Sequence, residues 1–197
     1  MAIQTFYKQA QSHDFARLFQ FRVTEFPGQV LDEKQLLYVE TATLPGRTIN
    51  NIQVPYMGLQ FNVPGTASYP GSNAYNVTFR MDEDYDIRDV LETSTFATFD
   101  DATSGGDYNT PLASSILQLE LLSKTIDSTS SEPKAARVYK LFGAYIVSVG
   151  DTAYDIKDTG TVSTCQATIA YQFWRVGNST DVPQPEDLTP QIFGSWT

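Results

Sequence analysis

The sequence predicts a mainly β fold, one antiparallel domain with a single prominent helix, and three observations predict it. Aromatic residues make up 13% of the chain, and with the many Val, Ile and Thr they favour pleated sheet over helix. Apolar and polar residues alternate in successive runs, and the runs are separated by turn signals built on Pro and Gly. Only one stretch, near residues 84–99, changes to a helical period. The 197 residues, 41% of them hydrophobic and 18% charged, suit a folded domain with a sizeable core rather than a disordered chain.

Each element follows in order. "LFQFRVTEF" (18–26) reads as a strand closed by Pro27-Gly28, and "LLYVETATLPG" (36–46) as a second strand closed by Pro45-Gly46. "INNIQVPYMGLQFNVPG" (49–65) carries Pro55 and Gly58 inside, which points to a bent or edge hairpin, not a central strand. "AYNVTFRM" (74–81) alternates cleanly, with Tyr75, Val77, Phe79 and Met81 on the apolar side. In "DYDIRDVLETSTFATF" the residues Ile87, Val90, Leu91 and Ser94 recur at helical spacing, with Asp84 as the expected N-cap. Residues 100–111 and 127–134 read as loops, and "SSILQLELLSKTI" (114–126) fits strand or helix by pattern. "ARVYKLFGAYIVSV" (136–149) predicts one strand with a kink at Gly143. In "GTVSTCQATIAYQFWRV" (160–176) an apolar face of Cys165, Ala167, Ile169, Tyr171 and Phe173 opposes a polar face of Thr164, Gln166, Thr168 and Gln172. The stretch 177–197 reads as an extended tail that Phe193 and Trp196 could anchor.

Charge is distributed unevenly. The net charge is −10, and residues 81–107 hold nine acids against one base, Arg88, for a net of −8. A chain with so few clustered Lys and Arg is excluded from tight binding to nucleic acid through a basic surface. The start has no basic-then-apolar leader pattern and no apolar run reaches the length of a membrane span. Cys165 is the single cysteine, so no internal disulfide forms, which fits a reducing compartment.

Chemistry finds little to work with. Taking Asp82 as position 1 of a calcium loop puts Asp84 and Asp86 correctly at 3 and 5, but Ile87 stands where Gly is needed and Thr93 where Glu is needed. His13 is the only histidine, Cys165 lies on an apolar strand face, and no nucleophile elbow, P-loop or dinucleotide motif occurs. The reading is of a protein that is not an enzyme and needs no cofactor or metal. An acidic binding module and a hydrolase using paired carboxylates remain as rivals from other classes.

Several stretches together carry a resemblance. They are Asp14 to Arg17 (Asp-Phe-Ala-Arg) before the first strand and the Ala-Thr-Leu-Pro-Gly turn Ala42 to Gly46. Ile52, Val54, Pro55, Met57 and Asn62-Val63 follow, then the strand that ends in an acidic helix start, and finally "TCQATIAYQFWRV". In order and spacing they resemble the tail tube protein of contractile-tailed (T4-like, myovirus) bacteriophages, over about 12–99 and 136–176. The chain departs from that pattern at 65–74 and 100–135, so the resemblance implies a domain over 1–176 with two insertions and a tail over 177–197.

The resemblance implies an antiparallel β-sandwich or barrel-like subunit with one flanking α-helix. Subunits would form hexameric rings stacked into a tube whose lumen conducts the genome and whose wall carries the contractile sheath. The partners implied are further copies of the chain, the tail sheath protein, baseplate and tail terminator proteins, and tape measure protein and genomic DNA in the lumen, with no membrane. The place implied is the virion, after assembly in the host cytoplasm. Three residue sets are expected to serve. Asp82, Glu83, Asp84, Asp86, Asp89 and Glu92 form an acidic helix facing the sheath. Arg47, Ile49, Ile52 and Tyr56 form an inter-ring contact, three of them apolar where an isolated monomer would prefer polar tips. Thr164, Gln166, Thr168 and Gln172 form a lumen or subunit face. The rival within the class is a tube-initiating baseplate protein.

Overall fold

The computed structural model describes residues 3–5, 8, 16–106, 115–126, 133–157 and 160–177. His13 and the 177–197 tail beyond Gly177 lie outside the described residues, as do most of the 127–134 loop and the second half of the 100–111 loop. The first strand, β1 (Phe21–Glu25), ends at a 3-10 turn (Pro27–Gln29) in which Gly28 takes φ 70°. A short helix α1 (Glu33–Leu36) follows, then β2 (Val39–Ala42), β3 (Thr48–Tyr56), β4 (Leu59–Ser68) and β5 (Tyr75–Arg80). After the long helix α2 (Asp86–Thr98) come a minimal pair β6 (Phe99–Asp100) and β7 (Gly105–Gly106). The remaining strands are β8 (Ile116–Ile126), β9 (Pro133–Phe142), β10 (Tyr145–Val149), β11 (Thr164–Ala170) and β12 (Phe173–Gly177).

Two four-stranded sheets form, in the orders β1-β8-β9-β12 and β10-β11-β5-β2, and every recorded pairing is antiparallel. Their inner faces make one core, with Val23, Leu117, Leu119 and Leu141 from the first sheet against Val77, Phe79, Ala167 and Ile169 from the second. The alternation in β5 is realised as read: Tyr75, Val77, Phe79 and Met81 are buried. Phe79 sits between Val39 and Cys165 in register and meets Phe26 edge-on at 5.6 Å. Each such side chain, removed from water, stabilises by about 1.5–3 kcal/mol. Helix α2 packs along the edge strand β10 and sends Ile87 and Leu91, both 0% exposed, into the same core.

The structure changes four of the sequence readings. Residues 114–126, open between strand and helix, form strand β8. Residues 33–36 are helical, where only the strand after them was expected; the Gln35 side chain accepts the backbone N–H of Asp32 at 2.9 Å, a capping interaction that fixes the turn. The run 136–149 is two strands in different sheets, not one kinked strand. Gly143 takes φ 62°, a left-handed conformation that glycine enters without a Cβ penalty, and the chain passes from one sheet to the other there. The run 160–176 likewise divides at Tyr171-Gln172, and β11 and β12 belong to opposite sheets. Alternation cannot report such a crossing, because both strands keep a period of two on either side of it.

Candidate assembly surfaces

The β3–β4 hairpin stands apart from both sheets as a two-stranded ribbon. Its turn residues Met57 and Gly58 take φ 49° and 79°, the paired positive values that suit the twist of a tight hairpin. Pro55 and Pro64 are tolerated because each strand has a free edge. Register pairs Ile52 with Val63, Val54 with Phe61 and Tyr56 with Leu59, so these six side chains share one face. Gln53 and Asn62 pair on the other. Beyond a bulge at Ile49 to Asn51, Ile49 pairs with Ala67. Gly65 faces Ile52 there, and a Cβ on it would lie 2.9 Å from both the Asn50 carbonyl and Ile52 Cγ1. Every residue of β3 is exposed, with Ile52 at 56% and Tyr56 at 61%. Of the expected contact set, Ile52 and Tyr56 fall on this face, Ile49 is exposed beyond the bulge, and Arg47 is exposed at the base. Val54, Leu59, Phe61 and Val63 belong with them and were missed, although their alternation from residue 59 onward was legible. The root of the ribbon is fixed by two long-range bonds: Tyr75 Oη donates to the Thr43 carbonyl at 2.5 Å and Trp174 Nε1 to the Gly46 carbonyl at 2.9 Å.

The acidic stretch divides into unequal parts. Glu83, Asp84, Asp86 and Asp89 are exposed. Asp82 is half-buried, and its Oδ1 has no hydrogen-bond partner among the described residues. Glu92 accepts Arg88 Nε at 2.7 Å, one helical turn away, and this partnership holds the guanidinium pKa up. Arg88 also donates to Thr152 Oγ1 at 3.0 Å, which ties the loop after β10 to the helix. Asp84 is not the N-cap. That position is Tyr85, at φ 60° and with no side-chain cap bond, because the chain enters the helix through a left-handed residue instead of an Asx turn. The Tyr85 phenol hydrogen-bonds Tyr154 of the same loop, which raises its pKa. The loop adds exposed Asp151 and Asp155 to the acidic side, placed there by tertiary contacts that no local pattern announces.

The outer face of the second sheet is neutral and rich in hydroxyls and amides. Thr164, Gln166 and Thr168 lie opposite Arg80, Thr78 and Asn76, and Thr168 Oγ1 donates to Asn76 Oδ1 at 3.0 Å. Arg80 is matched by Glu40 at 3.5 Å. Gln172 does not share this face. It sits in the link between β11 and β12, where its N–H donates to the Phe142 carbonyl. Phe173 also leaves the apolar core set and stacks on Phe142 with ring centres 5.2 Å apart. Cys165 is 1% exposed, and burial pushes its thiol pKa up, the reverse of what a nucleophile needs. Among the described residues no cluster of His, Cys, Asp and Glu could hold a metal ion, and no helix is long and apolar enough to cross a membrane.

A sandwich with a capping helix and a projecting apolar ribbon is the architecture that the comparisons address. Residues 10–177 match the phage tail tube protein family. The chain belongs to that family. It is a structural subunit of the phage tail tube and a component of the virion. Comparison with curated proteins finds no sequence match. Solved structures share the tail tube protein's fold at low identity. A chain of the anti-feeding prophage baseplate aligns with TM-score 0.56 and 10% identity over 85% of this chain and 99% of its own. A chain of the anti-feeding prophage tube-terminating cap gives 0.54 and 11%, over 85% and 93%. A chain of the PVC sheath/tube terminator, from an extracellular contractile injection system, gives 0.52 and 12%, over 84% and 98%.

Proposed function

We propose that the tail tube protein assembles into hexameric rings that stack into a tube, with the β3–β4 ribbon as the contact between rings. The observation that carries this reading is the ribbon itself. An isolated two-stranded hairpin is marginal in water, and this one turns a continuous apolar face to solvent. Only burial against another molecule removes that cost, and a subunit that repeats supplies such a molecule at every step.

The remaining surfaces take the other roles. The exposed acids Glu83, Asp84, Asp86 and Asp89 dock a basic surface of the tail sheath protein. Each pair contributes about 0–1 kcal/mol, and repetition along the tube makes the sum large while each contact stays breakable. Thr164, Gln166 and Thr168 line the lumen. A neutral hydroxyl face there neither traps phosphates nor excludes them, so tape measure protein and then genomic DNA slide past. Baseplate and terminator proteins close the two ends, assembly takes place in the host cytoplasm, and no step calls for enzymatic chemistry.

The likeness to a baseplate chain supports one alternative, a tube-initiating ring that does not repeat. Light scattering and negative-stain microscopy of the purified protein over a concentration series test both. Rings and open-ended tubes are expected; single rings at every concentration favour the initiator, and monomers alone overturn the assembly reading.

A further inference from the structure

The family match ends at residue 177, and the sequence beyond it has a chemistry of its own. It carries Asp181, Glu186 and Asp187, and no Lys, Arg or His occurs anywhere in 178–197. The larger apolar residues follow the acids, as Leu188, Ile192, Phe193 and Trp196. Pro183, Pro185 and Pro190 oppose helix and favour an extended course.

The sandwich offers the same two chemistries in the same order. Strand β12 delivers the chain to Gly177 at one side of the sheet β1-β8-β9-β12. Tyr139 and Leu141 pack in the core, so Lys140 between them points to the outer face, and exposed Arg175 lies opposite it in register. Glu120, which shares that face, is matched by Arg22 at 2.7 Å. At the far side of the sheet, β1 walls an apolar groove with α1 and β2. Its two contiguous cavities, of about 530 and 610 Å³, share Phe21, Leu37 and Val39, and Lys34 lines the first. Leu18 and Leu37 at the groove are 99% and 82% exposed.

We infer that the segment 178–197 crosses the outer face of its own sheet and seats Phe193 and Trp196 in this groove. Order is the first argument: acids then aromatics along the segment, a basic face then an apolar groove along the path. Reach is the second. Gly177, Val138, Glu120 and Arg22 form one row across the sheet, so three strand spacings, about 14 Å, separate the departure point from β1. The 16 residues from Gly177 to Phe193 span up to about 55 Å when extended, which covers that distance with slack for the crossing. A seat this near on the same subunit meets the segment at a high effective concentration, which selects the segment's own groove over that of a neighbouring copy. The contact is made by side chains, and no strand edge has to accept the segment's backbone. That suits a stretch with three prolines, whose nitrogens have no hydrogen to donate. Seated there, the two rings cover an apolar surface that is costly to leave open.

The test uses the full chain, with Lys34→Cys at the groove and Ser195→Cys between the two aromatic residues, singly and together. Cys165 is 1% exposed and is left as it is. A short bifunctional maleimide is added to the folded protein, and the products are separated by size and read by peptide mass spectrometry. The double variant is expected to give a peptide pair joining residues 34 and 195 within the monomer band, and neither single variant gives it. Absence of that pair overturns the inference. The same pair found in dimers and larger species, and not in the monomer band, gives the segment to a neighbouring copy and overturns the seat within the subunit. Phe193→Ala with Trp196→Ala provides a second reading by hydrogen exchange. Amides of 18–22 and 36–39 are expected to exchange several-fold faster than in unaltered protein, and unchanged exchange overturns the groove as the seat. The crosslinking pair keeps both aromatic residues, so it decides alone if the double-Ala variant does not fold.

Discussion

Strands β5 and β3 obey the same rule and meet opposite fates. In β5, Tyr75, Val77 and Phe79 alternate with polar residues and are buried to 3% or less. In β3, Ile52, Val54 and Tyr56 alternate just as regularly, and all three are exposed. The pattern states only that a strand has an apolar face; it does not state which chain supplies the cover. Strand β5 is covered from within by the shared core, where Phe79 meets Phe26, and among the described residues nothing covers the apolar face of β3. The difference teaches where folding ends and assembly begins.

The largest expected effect breaks the first half of that comparison. Phe79→Ala removes a ring that is 0% exposed and touches Phe26, and the sandwich cannot collapse onto the void from two sheets at once. Urea unfolding should show a loss of about 3–5 kcal/mol. A loss below about 1 kcal/mol would mean that the core is looser than its register implies.

The second half should break differently. Tyr56→Asp and Ile52→Asp put a carboxylate on the apolar face of the ribbon, where nothing in the subunit is disturbed. Unfolding of the isolated subunit should move by no more than about 0.5 kcal/mol. Assembly scored by microscopy should be lost. Normal tubes from both variants would remove the ribbon from the inter-ring contact.

These two outcomes also mark what was legible. The β class, the hairpin, the face of β5 and the helix at Ile87 and Leu91 followed from period and turn chemistry alone. The crossings at Gly143 and Tyr171-Gln172 did not, since a strand that ends in one sheet and resumes in the other preserves its alternation. Helix α1 was overlooked because β-branched and aromatic residues after it dominated the window, although Asp32 and Gln35 form a capping signal. The acidic surface was half legible: its exposed carboxylates were, and the pairing of Glu92 with Arg88 is a local i,i+4 contact, but the gain of Asp151 and Asp155 depends on contacts across about sixty residues of chain.

A smaller effect sharpens the account of the helix. Glu92→Ala removes an i,i+4 partner that is 43% exposed, so its Coulomb gain is strongly screened. A stability loss of about 0.3–0.5 kcal/mol is expected, because Arg88 keeps its bond to Thr152. A loss above about 1.5 kcal/mol would show that Glu92 holds the loop in place through Arg88.

The smallest expected effect concerns Asp84. A side-chain cap replaced by Ala costs about 1 kcal/mol. Asp84 makes no such bond, and the helix begins instead through the left-handed Tyr85. Asp84→Ala should therefore leave the unfolding curve of the subunit unchanged within about 0.3 kcal/mol, and a full cap-sized loss would restore Asp84 as the helix start. The same residue should matter elsewhere. Asp84, Asp86 and Asp89 are exposed together, and changing all three to Lys should spare the fold and the tube, since none of them is buried. Asp86 and Asp89 lie in the first helical turn, where a carboxylate complements the macrodipole, so a modest loss of roughly 1 kcal/mol is expected from those two together. Sheath protein polymerised around such tubes should then fail to dock, because several attractive pairs per subunit turn repulsive at once. Raising salt on unaltered tubes should weaken docking in the same direction. Sheath that assembles equally well on triple-Lys tubes, at low and high salt, would leave these acids as a solvated face with no partner.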